Sequence, residues 1–149
     1  MKIAPNTNYN DTGSPDFRET FLYVASELSG YNLAYLHVVD GITFGYHGFG
    51  EALRLNEFRG VFNGPLMGNC GYTKEAAELA IRDGRADMIS FGRPFISNPD
   101  LVERFEHDYP LNDSANPKLW YSFDPVGYTD FPRYDELTSK ATVKQMPER

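Results

Sequence analysis

GPLMGNCGYT at residues 64–73 and ADMISFGRPF at residues 86–95 enclose a helical segment, and this stretch decides the fold. Each part contains a short apolar run that ends in glycine, which predicts two buried parallel strands, each followed by a glycine turn into a helix. Glycine lets a backbone approach an anion, and the free N–H groups of a helix start point at it. Arg93 adds a guanidinium that suits phosphate. The pattern predicts a phosphate site, with Gly68 and Asn69 ending one strand and Gly92 and Arg93 ending the next.

A plainer alternative stays open for the same residues. The glycines would then only make tight turns, and Arg93 would pair with a surface acid such as Asp87 or Asp100.

Strands and helices alternate along most of the chain. Ser14 and Pro15 form a helix start, and Phe17 begins a set of apolar residues at helical spacing. The alternation indicates an α/β fold with a parallel sheet. We predict strands near 2–5, 34–39, 65–68 and 87–91, and helices near 15–29, 53–62, 73–83 and 98–107.

Composition excludes several functional classes. The net charge of −7 argues against a nucleic-acid partner or an anionic membrane surface. The sequence has one cysteine, Cys70, and no apolar run long enough for a membrane span. These features predict a cytoplasmic protein. His37, inside a predicted strand, is expected to be a hydrogen-bonded core histidine and not a catalyst.

Four stretches carry a family resemblance. They are SPDFRETF at residues 14–21, YLHVVDG at 35–41, FGRPFISNPDL at 91–101, and WY at 120–121 with DPVGYTDFP at 124–132. The chain resembles the C-terminal half of the old yellow enzyme family of FMN-dependent ene-reductases. The resemblance extends to about Glu136. It implies one domain over residues 1–136 that is the C-terminal half of an FMN-binding barrel, and a frayed tail over 137–149.

The resemblance implies an incomplete TIM-barrel fold, a half-barrel of about four parallel β/α units that corresponds to strands five to eight. It also implies FMN as cofactor and NADPH or NADH as reductant. Trp120 and Tyr121 match an aromatic pair that packs near the flavin ring and the substrate. Lys2 stands where the family usually has an arginine near the flavin. The cofactor-binding residues expected on this basis are Lys2, Gly68, Asn69, Phe91, Gly92 and Arg93.

The family's substrate-anchoring pair and its proton-donor tyrosine belong to the half of the barrel that this sequence does not match. We therefore assign no catalytic residue and no metal site. Two functions follow. The first is an oxidoreductase that reduces the C=C bond of α,β-unsaturated carbonyl compounds. The alternative is a truncated, inactive half-barrel, either a non-enzymatic fragment or a partner that completes a split barrel. Open strand edges predict self-association or a companion N-terminal half-barrel chain.

Overall fold

The computed structural model describes residues 1–43 and 45–137. The chain divides into two compact units, Met1–Ser90 and Phe91–Arg149. The predicted frayed tail lies, from residue 138 onward, outside the described residues. The elements of the first unit are β1 (Lys2–Ile3), a 3-10 helix (Tyr9–Asp11), α1 (Phe17–Leu28), β2 (Leu36–Val39), α2 (Leu55–Arg59), β3 (Leu66–Asn69), α3 (Lys74–Arg82) and β4 (Met88–Ser90).

The four strands form one parallel sheet in the order β1-β2-β3-β4. The register pairs Lys2 with His37, His37 with Met67, and Met67 with Met88. Two residues further along, Asn69 pairs with Ser90. The prediction that residues 34–39 and 87–91 share one sheet is confirmed.

One face of the sheet packs against the helices of the first unit. Leu36, Val38 and Leu66 are fully buried there, in a cluster with Phe17 of α1 and Phe58 of α2. Successive strand residues point to opposite faces, so the residues between them lie on the other side. That second face is half-buried or exposed, and it carries Lys2, His37, Val39, Met67, Asn69, Met88 and Ser90.

The helices α1 and α2 each begin two residues later than predicted. The helix α1 begins at Phe17, after Asp16 at the N-cap position, because the Ser14 carbonyl accepts the Phe17 N–H in a turn instead of starting the helix. The helix α2 begins at Leu55 and not at Leu53, because both backbone groups of Leu53 bond to a buried side chain described below.

The second unit has an unpredicted short helix. The helix α4 spans Arg93–Ser97, and α5 spans Leu101–Glu106, followed by a 3-10 helix over Pro117–Leu119. The prediction of one helix over 98–107 after a Gly-Arg turn was therefore incomplete. Pro99 explains the break, since the residue before a proline is disfavoured in helical conformation.

A buried arginine organises the second unit. The side chains of Arg104 and Asp100 are both 1% exposed, and Arg104 Nε donates to Asp100 Oδ1 at 2.7 Å. Arg104 also donates to the carbonyls of Pro110 and Pro132. The second carboxylate oxygen of Asp100 accepts the Tyr134 N–H at 2.7 Å. These bonds hold two later segments of this unit to α5.

Candidate functional site

A buried asparagine joins the loops that follow β1 and β2. Asn6 is fully buried, and its Nδ2 donates to the carbonyls of Asp40 at 2.8 Å and Leu53 at 2.9 Å. Its Oδ1 accepts the Leu53 N–H at 2.8 Å. Both amide hydrogens and the amide oxygen are thus satisfied, as burial requires. The loop after β2 is consequently fixed at both of its ends.

Asp40 follows β2 directly and links it to the turn after β3. Its Oδ1 accepts the Asn69 N–H at 3.1 Å, and its Oδ2 accepts the Tyr72 hydroxyl at 2.7 Å. Burial raises the pKa of the Asp40 carboxyl, and it outweighs the two hydrogen bonds, which lower the pKa. Burial, followed by the hydrogen bond to Asp40, raises the pKa of Tyr72 far above its ordinary value. Tyr72 is therefore a neutral donor at any physiological pH.

The turn after β3 has an unusual backbone. Cys70 and Gly71 both have a φ of +85°, a region that favours glycine and is uncommon for other residues. The backbone N–H groups of these two residues make no hydrogen bond to any described part of the chain. Two successive amides are therefore available to an anion at the carboxyl end of β3.

A second polar group lies on the half-buried face of the sheet. Ser90 Oγ is 2.9 Å from His37 Nε2, and Asn69 Nδ2 donates to Ser90 Oγ at 2.8 Å and to the Ser90 carbonyl at 3.0 Å. Burial lowers the pKa of His37, and the positive charges of Lys2 and the N-terminus lower it further. His37 is hydrogen-bonded, as predicted, although it is half-buried and outside the apolar core.

Gly68 and Asn69 are the last two residues of β3, as predicted, but Gly68 faces a packed helix. A Cβ on Gly68 would lie 2.7 Å from Leu55 Cδ1 and 2.9 Å from Ile89 Cδ1. The packing of α2 on the sheet therefore requires glycine here. The N–H and side-chain amide of Asn69 are already donated within the sheet, to Asp40 and Ser90.

Lys2 lies on the same face of the sheet as Asn69, but in a different row. Lys2 is exposed and pairs in register with His37, which in turn pairs with Met67. Asn69 lies two residues after Met67 along β3. Along the strand direction, Lys2 therefore lies two residues before the level at which β2 and β3 end.

The second unit holds the other predicted phosphate residues. Gly92 is the N-cap residue of α4 and Arg93 is its first residue, so both begin a helix instead of ending a strand. Apart from its two chain neighbours, no atom of the described residues lies within 4 Å of the position that a Cβ on Gly92 would take. Phe91 packs its ring edgewise on Phe105, with centroids 5.2 Å apart. The space beside the Gly92 Cα is therefore open, whereas the Gly92 carbonyl accepts the Phe95 N–H.

The two acids considered as plainer partners of Arg93 have arginine partners elsewhere. The Asp87 carboxylate accepts from Arg59, and the Asp100 carboxylate accepts from Arg104.

The predicted aromatic pair also lies in the second unit. Trp120 is half-buried, and its indole N–H donates to the Ala115 carbonyl at 3.1 Å. Tyr121 is 89% exposed. An aromatic ring that is this exposed is available for contact with a further group.

Sequence reasoning missed Asn6, Asp40 and Tyr72. One signal was present, since Asp40 is an acid placed directly after the apolar run of β2, where a parallel sheet gathers its functional groups. Their partners lie 29 to 47 residues away in the sequence. The tertiary fold, and no local sequence pattern, brings such residues together.

Parallel strands that alternate with helices, with polar groups at their carboxyl ends, are typical of part of a (β/α) barrel. The chain belongs to the NADH:flavin oxidoreductase / NADH oxidase family, whose model matches residues 4–112. The predicted resemblance to the old yellow enzyme family is confirmed, as is the partial barrel. Membership implies FMN and NAD(P)H as cofactors.

Relatives of known name and structure agree. The chain is 33% identical to 12-oxophytodienoate reductase 2 of Arabidopsis thaliana, in an alignment that covers 89% of this chain and 36% of that protein. The old yellow enzyme from Trypanosoma cruzi superposes with a TM-score of 0.81 and 32% identity, over 89% of this chain and 34% of that one. Morphinone reductase in complex with tetrahydroNAD gives a TM-score of 0.76 and 34% identity, over 90% and 35% of the two chains.

The chain spans about a third to a half of the length of the curated relatives that it matches, 36% and 47% for two rice 12-oxophytodienoate reductases. Among the described residues, no helix has the length and apolar character needed to cross a lipid bilayer.

Proposed function

We propose that this chain supplies the FMN-phosphate-binding part of an ene-reductase of the old yellow enzyme type. Such an enzyme reduces the C=C bond of an α,β-unsaturated carbonyl compound with NADPH or NADH. The observation that carries the proposal is the turn after β3, where the successive N–H groups of Cys70 and Gly71 have no described partner. Backbone amides in this conformation form an anion-binding concavity.

The residues present fit a phosphate with one change from the sequence prediction. In the first unit the turn amides of Cys70 and Gly71 are the donors, because the Asn69 N–H is already bonded to Asp40. Gly92 and Arg93 belong to the second unit, and their part in phosphate binding stays what the sequence predicts. Arginine favours phosphate because its planar fork donates two parallel hydrogen bonds.

The remaining predicted residues bear on the flavin ring. When it is bound, FMN supplies hydride transfer between the nicotinamide and the substrate double bond. We propose that Trp120 and the exposed ring of Tyr121 contact the ring system or the substrate, and that Phe91 packs beside the phosphate. Lys2 adds a positive charge on the half-buried face of the sheet. We assign none of these residues a proton transfer, and the cytoplasmic location stays a prediction.

A second candidate function rests on the sheet itself. Within the described residues, β1 and β4 each pair on one side only, and the face that carries His37 and Met67 is covered by no described helix of its unit. Unpaired edges of this kind favour pairing with another chain. The partner would be a companion half-barrel or a second copy of this chain. Size-exclusion chromatography with light scattering tests this, and a stable monomer at high concentration would contradict it.

Flavin titration tests the primary proposal. FMN and riboflavin, which lacks the phosphate, are titrated into wild type and Arg93→Ala while flavin fluorescence is recorded. We expect wild type to prefer FMN, and Arg93→Ala to lose about 1.5–3 kcal/mol of FMN affinity with riboflavin affinity unchanged. Arg82→Ala is the matched control, since Arg82 is an exposed arginine in the last turn of α3. Equal binding of both flavins by wild type would refute the phosphate site.

A further inference from the structure

One carboxylate holds both ends of the turn that carries the open amides. Asp40 Oδ1 accepts the N–H of Asn69, the residue before Cys70, at 3.1 Å. Asp40 Oδ2 accepts the hydroxyl of Tyr72, the residue after Gly71, at 2.7 Å. Cys70 and Gly71 are thus the two residues between the anchored positions. Each of these hydrogen bonds has a charged acceptor, which makes it stronger than a neutral one.

The loop of Asp40 and the turn are also in direct backbone contact. The Gly41 N–H donates to the Asn69 carbonyl at 3.2 Å. A Cβ on Gly41 would lie 1.9 Å from the Cys70 carbonyl oxygen, so only glycine permits this approach. Asp40 is itself fixed, because its carbonyl accepts from the buried Asn6. The position of the Asp40 carboxylate relative to the turn is therefore fixed.

The turn conformation needs such support. Cys70 has a φ of +85°, which is costly for a residue with a side chain. A free turn of this sequence would relax to other conformations and separate the two N–H groups. Two bonds to one fixed carboxylate limit that relaxation.

We propose that Asp40 is a positioning residue that holds the Cys70 and Gly71 amides in the geometry that binds the FMN phosphate, with Tyr72 as its second anchor. This inference rests on the proposed function. It adds that phosphate recognition depends on a carboxylate that does not touch the phosphate. Asp40 acts through hydrogen bonds to the turn, whereas its negative charge alone would repel a phosphate.

The test uses Asp40→Asn and Tyr72→Phe in the full chain. An asparagine at position 40 keeps the shape but turns an NH₂ group toward one of the two donors, Asn69 N–H or Tyr72 O–H. Tyr72→Phe removes one anchor and leaves the carboxylate. Asp87→Asn is the matched control, because Asp87 likewise accepts a strand N–H, that of Leu66 at 2.7 Å, but at the opposite end of β3.

Two quantities are measured for each variant: the ratio of riboflavin to FMN dissociation constants, and hydrogen exchange of the peptide that covers residues 69–73. We expect Asp40→Asn to lower the ratio about tenfold, the equivalent of one hydrogen bond to a charged group. Tyr72→Phe lowers it less, and both variants speed exchange in that peptide. Asp87→Asn leaves the ratio unchanged. A solely structural role would weaken both flavins equally and leave the ratio constant.

The outcomes separate the two proposals. If wild type binds FMN and riboflavin equally, the phosphate site is wrong. If wild type prefers FMN and both Asp40→Asn and Tyr72→Phe keep that preference, the positioning role of Asp40 is wrong and the phosphate site stands. If Asp40→Asn fails to fold, Tyr72→Phe decides alone: an unchanged ratio and unchanged exchange would overturn the inference.

Discussion

Replacing Arg104 with methionine should destabilise the second unit strongly. Methionine keeps much of the length of the side chain but removes the guanidinium. Asp100, 1% exposed, would then be left without its cation, and the Pro110 and Pro132 carbonyls would lose a donor. Breaking a buried ion pair by removing one partner costs about 3–5 kcal/mol, because the remaining charge is uncompensated. We expect a loss of that size in the free energy of unfolding.

The chain has a built-in reporter for this measurement. Trp120 is the single tryptophan of the sequence and lies in the second unit, so its fluorescence during urea titration follows that unit. Arg133→Met is the matched control. Its ion pair with Glu103 is about half exposed, with side-chain accessibilities of 46% and 47%, and pairs of this kind contribute at most about 1 kcal/mol.

A double variant separates charge from shape. Arg104→Met with Asp100→Asn removes the uncompensated carboxylate and should be more stable than Arg104→Met alone. If Arg104→Met costs no more than Arg133→Met, the buried pair does not hold the second unit together and the reasoning fails.

Two further predictions concern the first unit. Gly68→Ala should lower the free energy of unfolding by about 1–3 kcal/mol, because the new methyl group overpacks against Leu55. Urea titration followed by circular dichroism measures this loss, and an unchanged urea midpoint would contradict the packing role. The hydrogen bond from the Leu66 N–H, followed by that from Arg59, lowers the pKa of Asp87 below its ordinary value. Ionised Asp87 therefore stabilises the fold above about pH 4, its unfolded pKa, and this stability is lost as the pH falls through the lower folded pKa. Asp87→Asn should reduce the loss of stability between pH 5 and pH 3, and equal acid sensitivity of both proteins would argue against it.

The parts of the fold that depend on local signals were predictable. The helix α3 is the clearest case. Its N-cap Thr73 accepts the Ala76 N–H, and Gly84 just beyond its end has a φ of +70°, the conformation in which glycine commonly ends a helix. The strand positions followed from short apolar runs between such signals. Parallel pairing followed from the alternation of strands and helices.

The parts that depend on distant contacts were not predictable. The start of α2 is set by Asn6, which lies 47 residues before its partner Leu53. The roles of Asp40 and Gly68 likewise depend on which residues the register sets beside them. The sequence predicted a phosphate-binding role for Gly68. A glycine after an apolar run gives the same sequence pattern whether it faces a ligand or a packed helix.

The contacts of Asn6 have an evolutionary consequence. Among the described residues, its side chain bonds to main-chain atoms of Asp40 and Leu53 and to no side-chain atom of either. Any sequence that enters and leaves the loop with the same backbone path can satisfy it. The two anchored ends of the loop therefore place no demand on the side chains between them, although Gly41 is needed for its close approach to the neighbouring turn and His47 packs on Phe17 and bonds to the Pro5 carbonyl. New specificities could arise in this loop without redesign of the sheet beneath it.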